Sequence, residues 1–509
     1  MKNFGSSFYP GILLLLVFVV VSLFTYQDYG VAWDESIQRD IGKVSYDYIF
    51  HGDERLHTYL ERDHGVGFEL VLLLVEKAVK AASFRDIILA RHLASHIFFL
   101  LGAFSFYVLA LRMFGKQSLA LLAFLMVVLS PRLYAHSFFN SKDTPLLVMY
   151  ALSFMVAEWA FRKDKPIGYA LLGLCIGYAT SIRILGIYLF GWVFLFLLID
   201  IFIRQHSKKI SKSIGNILLF VVGSFIGVYS FWPTLWKNPV VSFVDCYKTL
   251  SHFRWDGLLL LNGETLRSLN LPWFYLPEWF ALTTPVSWLF IGATGLIMLL
   301  VSFLKTPMVY IKNTQQRHYL LYGACFIGPV AVIILLQSVV YDDWRHVYFI
   351  YPAFVMIALY ALDKIFTSRY RYAGVLIVVL QLILLLVSMV RIHPFHQVYF
   401  NELVSHKEEY LRKNFDYDYW GSSYKQALSY IMQTDRRDTV KIATPWEPIF
   451  LNINFLEEQD RVRIQSVGEG DADYFLTNFR YHPQDFDYPA VYYEIKVQNS
   501  TVVRVYKLK

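Results

Sequence analysis

The chain has 509 residues, of which 56% are hydrophobic and only 17% charged, and its mean hydropathy is +0.41. A soluble globular protein is about 45–50% apolar and about 25% charged, so this composition excludes an ordinary soluble protein and indicates that lipid surrounds much of the chain. The net charge of +7 comes from Lys and Arg residues that cluster in short loops, where they set membrane topology, and no nucleic-acid partner is predicted.

Three cysteines, Cys175, Cys246 and Cys325, stand far apart in the sequence, and no CxxC pair is present. The sequence also lacks a Walker A loop, a dinucleotide fingerprint and an HExxH zinc motif. A disulfide framework and transport driven by ATP bound to this chain are therefore not expected.

Apolar runs that could cross a membrane recur along the first 391 residues. A spanning helix needs about 20 apolar residues, or about 17 at the short end. The runs fall at 10–26, 87–111, 118–136, 145–161, 167–183, 184–203, 214–232, 285–304, 319–340, 347–366 and 372–391. The first run could be a signal peptide, but no small-x-small cleavage site follows it, so we interpret it as an uncleaved helix. The sequence thus predicts about eleven transmembrane helices.

The charges of the loops support this count and predict the orientation. If the N-terminus is cytoplasmic, every inner loop is short and basic, as the positive-inside rule requires. These loops carry Arg112 and Lys116; Arg162, Lys163 and Lys165; Arg204, Lys208, Lys209 and Lys212; Lys305, Lys312 and Arg317; and Lys364, Arg369 and Arg371. We therefore expect a multi-pass membrane protein whose C-terminal tail lies on the outer side.

Three of the segments expected outside the membrane are long, namely 27–86, 233–284 and the tail after residue 391. In the first, residues 68–82 are apolar on one side and charged on the other, which predicts an amphipathic helix on the membrane surface. The tail alternates apolar and polar residues in stretches that predict strands. The strands are expected at Thr439–Ala443, Ala490–Val497 and Val502–Lys507, and a helix at Tyr424–Thr434. The predicted fold is a mainly α membrane bundle, 1–391, with a small C-terminal α/β domain, 392–509.

Asp34 and Glu35 follow the first span closely, in the first outer segment. Two adjacent carboxylates near a bilayer surface could serve as a general base and a binding group. The alternative is an ordinary solvated acidic turn, since an Asp-Glu pair is common.

A second polar segment, 130–145, connects two predicted spans with almost no loop. Asp143 precedes Thr144-Pro145, and an acid there could simply favour the start of the next helix. The same turn also holds more polar side chains than a turn needs, namely Arg132, His136, Asn140 and Lys142. We therefore expect Asp143 to belong to a site.

The third polar segment, 341–348, places Arg345 and His346 at the outer mouth of a span. Arg can clamp a phosphate bidentately, although Trp, Tyr and Arg are also common interfacial anchors. Because the topology puts all three segments on one face, acids and cations come together there. A carboxylate can deprotonate an acceptor hydroxyl while an Arg/His pair holds a lipid-linked phosphate, which suits transfer of a sugar from a membrane lipid.

These motifs resemble those of the GT-C class of integral membrane glycosyltransferases, in the glycosyltransferase family 39-like branch with the protein O-mannosyltransferases and the lipid A aminoarabinose transferase. The resemblance rests on Asp34-Glu35 in the first outer loop and on Pro131–Pro145, which ends in Asp143 before Pro145. It covers the membrane part, and the tail resembles the extra outer domain of many members. The segment 233–284 is too short for the β-trefoil domain of the eukaryotic protein mannosyltransferases, which favours a bacterial plasma (inner) membrane and leaves a protein acceptor in doubt.

The resemblance implies a polyprenyl-phosphate sugar donor and inversion at the anomeric carbon. It implies that Asp34 is the catalytic base, that Glu35 helps to bind the acceptor, and that Asp143 is the second catalytic acid. Arg345 and His346 would hold the donor phosphate, and Arg132 and Lys142 are further candidates for this role. The acceptor could be a glycolipid, a glycan or a protein.

A metal is left open by the sequence. Some members of the GT-C class use a divalent cation and others do not. His92 and His96 are four residues apart and share a helix face, a spacing that could hold a metal, although hydrogen-bonded packing is the better explanation.

Two other functions fit the composition. A secondary transporter usually shows internal repeats and polar groups near the midplane, whereas here the polar groups gather at one face. A non-catalytic flippase partner or assembly factor of envelope polysaccharide synthesis would tolerate Asp34→Asn. In the tail, the aromatic-acidic stretch Phe415–Tyr424 suits sugar binding, although packing against the membrane domain explains it as well.

Overall fold

The computed structural model describes residues 7–204, 210–251 and 253–509. The expected cytoplasmic N-terminus, residues 1–6, and the predicted inner-loop residues Lys208 and Lys209 lie outside this part. The helices up to residue 392 are α1 (Tyr9–Thr25), α2 (Asp34–His51), α3 (Gly67–Ala78), α4 (Phe84–Phe114), α5 (Gln117–Val128), α6 (Pro131–Phe139), α7 (Asp143–Lys163), α8 (Pro166–Ile182), α9 (Gly186–Arg204), α10 (Ile210–Phe231), α11 (Pro239–Ser251), α12 (Tyr275–Thr283), α13 (Val286–Lys305), α14 (Pro307–Lys312), α15 (Thr314–Leu335), α16 (Tyr351–Phe366) and α17 (Arg371–Ile392).

Every predicted apolar run falls on a helix of the structure. Within the described residues, eight helical segments are long and apolar enough to cross a membrane, and α5 and α6 together form a bent ninth candidate. The helices α1 and α8, each of 17 residues, are apolar but shorter. The mainly α membrane bundle is thus confirmed, whereas the number of eleven spans stays a prediction.

The third predicted span, 118–136, is not one straight helix. It consists of α5 and α6, which meet at an angle of 62°. The break lies at Ser130-Pro131, because proline has no N–H to continue the hydrogen-bond ladder but is well suited to begin a helix. The turn between α6 and α7 thereby becomes a buried corner of the bundle.

The predicted inner loops lie together at one end of the bundle. Lys116, between α4 and α5, pairs with Asp363 near the end of α16 at 2.7 Å. Arg317 at the start of α15 pairs with Asp200 near the end of α9 at 2.8 Å. These contacts place the loops on a common side, as the positive-inside pattern requires.

Helices α8 and α10 pack backbone to backbone. Each helix carries a GxxxG sequence, Gly173–Gly177 in α8 and Gly223–Gly227 in α10. A Cβ atom at Gly177 would lie 2.2 Å from the backbone oxygen of Ser224, so only glycine allows this approach. Small residues with this spacing let membrane helices pack backbone to backbone. The contact fixes the outer end of α8, which leads directly into Arg183.

The first segment predicted to lie outside the membrane folds as α2 and α3 against the first half of α4. The predicted amphipathic helix, 68–82, is α3, but its two acids point inward. Arg91 of α4 forms ion pairs with both Glu69 and Glu76, and all three side chains are buried. The central outer segment contributes α11, α12 and a hairpin of β1 (Leu258–Leu261) and β2 (Glu264–Arg267).

The tail forms a five-stranded mixed sheet, which confirms a small sheet domain. Its strands are β3 (Val440–Ala443), β4 (Ile464–Ser466), β5 (Tyr474–Thr477), β6 (Val491–Val497) and β7 (Ser500–Lys507), in the order β4-β3-β5-β7-β6. β3 is parallel to β4 and β5, and the β6–β7 hairpin adds antiparallel strands. The helices of the tail are α18 (Tyr410–Asn414), α19 (Tyr424–Thr434), α20 (Pro448–Phe455) and α21 (Glu458–Arg461). The predicted helix 424–434 and three predicted strands are present, and β4 and β5 were not predicted.

Candidate active site

Asp34 and Asp143 meet at a single arginine. Nη1 of Arg345 lies 3.3 Å from Oδ2 of Asp34 and 3.5 Å from Oδ2 of Asp143. The side chain of Asp143 is almost fully buried, whereas 29% of the Asp34 side chain is exposed. The two acids predicted from separate outer segments therefore share one site, and Asp34 is the one that an incoming molecule can reach.

Local structure around α2 holds Asp34 in place. Asp34 and Glu35 open the helix, and the Glu35 side chain turns back to accept a hydrogen bond from the backbone N–H of Ala32 at 2.8 Å. The second carboxylate oxygen of Glu35 lies 3.0 Å from Nε2 of His92 in α4. Because Glu35 is buried and both its oxygens are engaged, it fixes the start of α2 and leaves Asp34 facing the site.

Asp143 is held from both sides. It is the first residue of α7, and its backbone N–H donates to the side-chain oxygen of Asn140 at 2.8 Å. The amide nitrogen of Asn140 donates back to Oδ2 of Asp143 at 3.0 Å. The other carboxylate oxygen pairs with Arg183, which follows α8. The start of the helix thus orients a carboxylate between two guanidinium groups.

Arg345 is itself clamped. Its guanidinium lies 4.9 Å from the ring centre of Tyr341 and 4.8 Å from that of Trp420, which belongs to the tail. Its Nη2 pairs with Asp342 at 3.3 Å, and Asp342 also accepts a hydrogen bond from Arg480 of the tail at 2.9 Å. Aromatic faces and carboxylates together hold a buried guanidinium in one orientation.

A cavity with a cationic end and apolar walls adjoins these residues. It has a volume of about 920 Å³, counted to its open mouth. Its polar end includes Lys142, Arg183, His346 and His64. Its walls come from α9, α11, α15 and the segment after α15, and include Ile184, Leu185, Ile187, Leu250, Ile333, Leu336, Val339 and Val340. We call it the cationic cavity; its shape suits a phosphate attached to a hydrocarbon chain.

The charges in this cavity are not balanced. Arg183 and Arg345 have carboxylate partners, but no carboxylate of the described residues lies within ion-pair distance of Lys142. Burial, with Arg183 nearby, lowers the pKa of Lys142 to about 7. Nε2 of His346 is also buried without a hydrogen-bond partner in the part of the chain that the structure describes. A buried cation without a counterion favours an anionic ligand.

Burial shifts the pKa of Asp34 in the direction opposite to that of Lys142. It raises the pKa of the Asp34 carboxyl above the ordinary value of 3.8, although the neighbouring Arg345 opposes the shift. A raised pKa makes a carboxylate a stronger base while a nearby guanidinium keeps it ionised. These are the properties required of a general base.

Arg132, a sequence-based candidate for phosphate binding, lies elsewhere. It is buried between the rings of Trp279 and Phe400, pairs with Asp343 at 2.9 Å and donates to the backbone oxygen of Tyr399 at 2.9 Å. These contacts tie the corner before α7 to the start of the tail. The structure therefore brings together Asp34, Asp143, Lys142, Arg345 and His346, but not Arg132 or the Glu35 carboxylate.

The two histidines with metal-like spacing have separate partners. His92 contacts Glu35, and Nδ1 of His96 lies 2.6 Å from the hydroxyl of Ser137. Across residues 7–204, 210–251 and 253–509, no group of three or more His, Cys, Asp or Glu side chains could hold a metal ion.

Sequence reasoning missed several residues of the site. Arg183 could have been noticed, because it is the one charge between two adjoining apolar runs. Asp342 lies in the segment that gave Arg345, and its backbone is left-handed, with φ of 56°, as expected of strained positions at functional sites. Trp420 and Arg480 reach the site from the tail. Trp420 belongs to the aromatic-acidic stretch 415–424 that the sequence singled out, whereas Arg480 has no sequence signal that points to the site.

The family comparison agrees with the resemblance inferred from the motifs. Residues 74–241 match the model of the family described as dolichyl-phosphate-mannose-protein mannosyltransferase. This segment runs from the end of α3 to the start of α11 and includes Lys142, Asp143 and Arg183. The match covers 168 of the 509 residues, about a third of the chain. No curated protein gives a match.

Several solved structures are similar to the chain. ArnT from Cupriavidus metallidurans bound to undecaprenyl phosphate is 13% identical, with a TM-score of 0.50, and the match covers 97% of each chain. The Archaeoglobus fulgidus oligosaccharyltransferase tethered with an acceptor peptide is 11% identical, with a TM-score of 0.48, and the match covers 92% of this chain. The chain spans only 65% of the length of that archaeal protein. At such identities the likeness to ArnT shows a shared fold.

Proposed function

We propose that the protein is an inverting glycosyltransferase that moves a sugar from a polyprenyl-phosphate donor to an envelope acceptor on the outer face of the plasma membrane. One observation carries the proposal. A partly exposed carboxylate, that of Asp34, is joined through Arg345 and Asp143 to the cationic end of an apolar-walled cavity. A base and an anion site therefore lie next to each other, and the walls of the anion site are apolar.

The reaction follows from these positions. The Asp34 carboxylate takes the proton of an acceptor hydroxyl, and the hydroxyl oxygen attacks the anomeric carbon of the donor sugar. The bond from this carbon to the phosphate oxygen breaks, and its electron pair leaves with the polyprenyl phosphate. The developing phosphate charge lies against Lys142 and Arg183, which stabilise it more in the transition state than in the ground state. A single displacement inverts the anomeric centre.

The roles of the other acids differ. Asp143 holds Arg183 and Arg345 in place, so that one guanidinium faces the donor and the other faces Asp34. Glu35 is expected to position Asp34 through α2 rather than to contact the acceptor, because its carboxylate is buried. A divalent cation is not needed for this scheme, because the described side chains supply the positive charge.

The experiment is sugar transfer by the purified protein in lipid nanodiscs, with a panel of radiolabelled undecaprenyl-phosphate sugars and mixed lipid and glycan acceptors. Release of undecaprenyl phosphate is followed for the wild type, Asp34→Asn and Asp40→Asn. Asp40 is a matched control, because it is an exposed acid on the same helix. We expect release with at least one donor, lowered about 100-fold or more in Asp34→Asn and unchanged in Asp40→Asn.

Binding of undecaprenyl phosphate to the same preparations separates the steps. Asp34→Asn should bind it as the wild type does, whereas Lys142→Gln should bind it more weakly. Equal turnover by the wild type and Asp34→Asn would remove Asp34 as the base. Absence of undecaprenyl phosphate binding by the wild type would exclude this donor class and favour an assembly factor or a transporter.

A further inference from the structure

A second cavity lies between the membrane part and the tail, and it shares no lining residue with the cationic cavity. Its volume, counted to its open mouth, is about 480 Å³. One side is formed by the β1–β2 hairpin, and the others by the aromatic-acidic stretch after α18 and by the loop after β5. Its lining residues include Leu260, Thr265, Arg412, Asp416, Asp418 and Arg480. We call it the hairpin cavity.

The arginines of the hairpin cavity are paired with carboxylates, in contrast to Lys142 of the cationic cavity. Arg480 lies 2.8 Å from Asp416 and donates to Asp342, and Arg412 pairs with Glu409 and Asp485. The two arginines therefore provide no uncompensated positive charge for a phosphate. An anionic ligand would have to break one of these pairs. The Asp418 carboxyl has no cationic partner among the described residues, and burial raises its pKa, which favours its neutral form. The cavity therefore suits an uncharged ligand.

Hydrogen-bonding capacity nevertheless remains among the buried groups. Nη1 of Arg412 and Oδ1 of Asp418 have no hydrogen-bond partner within the described residues, although both side chains are almost completely buried. One of these atoms donates and the other accepts. A ligand hydroxyl can serve both, because it carries a proton and two lone pairs. A buried polar atom without a partner is costly, which favours a ligand that completes it.

The aromatic residues suit the same kind of ligand. Phe415, Tyr417, Phe479 and Tyr481 line the cavity, and the Tyr481 side chain is 48% exposed at its edge. Phe479 and Tyr481 both have φ of 63°, a left-handed conformation that is uncommon for aromatic residues. These two positions flank Arg480 and turn it inward. Strain kept in a loop that lines a cavity is typical of binding sites.

Arg480 connects the hairpin cavity to the catalytic group. It lines the cavity and binds Asp342, Asp342 binds Arg345, and Arg345 binds Asp34. A molecule in the cavity is therefore separated from the base by a single chain of buried ion pairs. This is a suitable place for the part of an acceptor that extends beyond its reacting hydroxyl.

We propose that the hairpin cavity binds an uncharged, polyhydroxylated portion of the acceptor, so that the acceptor is a glycan or carries one. This inference rests on the proposed function, because it assumes that the protein transfers a sugar to an acceptor. Binding of a glycan to the cavity can nevertheless be measured without sugar transfer. Hydroxyl groups bond Arg412 and Asp418, and the sugar rings pack against the aromatic side chains. Specificity for the acceptor then resides in the tail, and specificity for the donor in the membrane part.

The test is a glycan array probed with the full-length protein in nanodiscs, with undecaprenyl phosphate binding measured on the same samples. The variants are Tyr481→Ala, Asp418→Asn and the control Phe450→Ala, which removes an aromatic side chain of the tail that is 43% exposed outside the cavity. We expect the wild type and Phe450→Ala to retain at least one neutral glycan. Tyr481→Ala and Asp418→Asn should lose about tenfold or more in affinity, in keeping with removal of one stacking or polar contact.

The outcomes separate the two proposals. An array on which the wild type retains no neutral glycan, or retains only charged ones, overturns the glycan site, as does unchanged binding by both cavity variants. All variants should still bind undecaprenyl phosphate, which shows that they are folded. If the wild type did not bind undecaprenyl phosphate, the donor assignment would be contradicted. The result for glycan binding would not be affected.

Discussion

Asp34 and Asp143 contact the same nitrogen of Arg345, although they open two different helices and come from different outer segments. Only Asp143 also pairs with Arg183 at the cationic cavity. The two acids are thus joined but not equivalent, because Asp34 is partly exposed whereas Asp143 is buried against Arg183. Their removal should have different consequences.

Asp143→Asn should strengthen binding of undecaprenyl phosphate while lowering turnover. The substitution leaves the charge of Arg183 without its carboxylate partner, so that an anionic ligand gains attraction of about 1 kcal/mol or more. The same loss should destabilise the free protein, because it leaves buried guanidinium charge uncompensated. The dissociation constant and the melting temperature with and without ligand are to be compared with those of Asp34→Asn. Weaker binding by Asp143→Asn would contradict this division of roles.

Donor use should decline as the pH rises through neutrality. The pKa of Lys142 is lowered to about 7, so its ammonium group is charged below that pH and becomes neutral above it. Because only the charged form attracts phosphate, kcat/KM for the donor should fall above pH 7, and kcat/KM reports the free enzyme. Lys142→Arg keeps its charge and should remain active to higher pH. If kcat/KM fell at the same alkaline pH in the wild type and in Lys142→Arg, a group other than Lys142 would be the one that titrates.

Lys142 and Arg132 were both predicted to bind the donor phosphate, but the structure separates them. Lys142→Gln should raise the dissociation constant for undecaprenyl phosphate with little loss of stability, because its ammonium has no ion-pair partner among the described residues. Arg132→Gln should instead destabilise the protein by about 3–5 kcal/mol, because it leaves Asp343 buried and unpaired.

The double variant Arg132→Gln/Asp343→Asn is the control for this difference. It removes both charges and should recover part of the stability that Arg132→Gln loses, as a double-mutant cycle would show. Thermal melting in detergent measures the loss and the recovery. Equal stability of Arg132→Gln and Lys142→Gln would contradict a structural role for Arg132.

The positions of the helices could be predicted from hydropathy because a spanning run is a local property of about 20 residues. The same locality explains the error at Pro131, since the apolar run continues through the bend between α5 and α6. Strand β5 was missed for a related reason. It is buried at all four positions and shows no alternation of apolar and polar residues.

The site was predictable only where its residues lie in short polar motifs beside apolar runs, as Asp34, Asp143 and Arg345 do. The ion pairs that join residues of different motifs cannot be inferred from the neighbouring residues in the sequence. Nothing near Arg480 indicates that it pairs with Asp342, and nothing near Arg132 indicates that Asp343 would neutralise it. Sequence patterns thus gave the face of the bundle on which the site lies, while the distribution of charges within it required the fold.

The approach of α8 to α10 should be essential for donor binding. Gly177→Ala places a methyl group 2.2 Å from the backbone oxygen of Ser224, and backbone on both sides leaves no flexible side chain to move away. We expect a loss of about 1–3 kcal/mol, as for other overpacked positions, and a weaker affinity for undecaprenyl phosphate because α8 leads into Arg183. Gly215→Ala in α10 is the matched control, since no atom lies within 4 Å of its added Cβ among the described residues.

Gly215→Ala should be neutral or stabilising by up to about 1 kcal/mol, because alanine has the higher helix propensity. Melting temperatures of the two variants, with and without undecaprenyl phosphate, measure both effects. A lower melting temperature in Gly177→Ala with unchanged affinity would mean that the helix pair supports the fold without positioning Arg183. Equal melting temperatures for the two variants would contradict the close backbone contact itself.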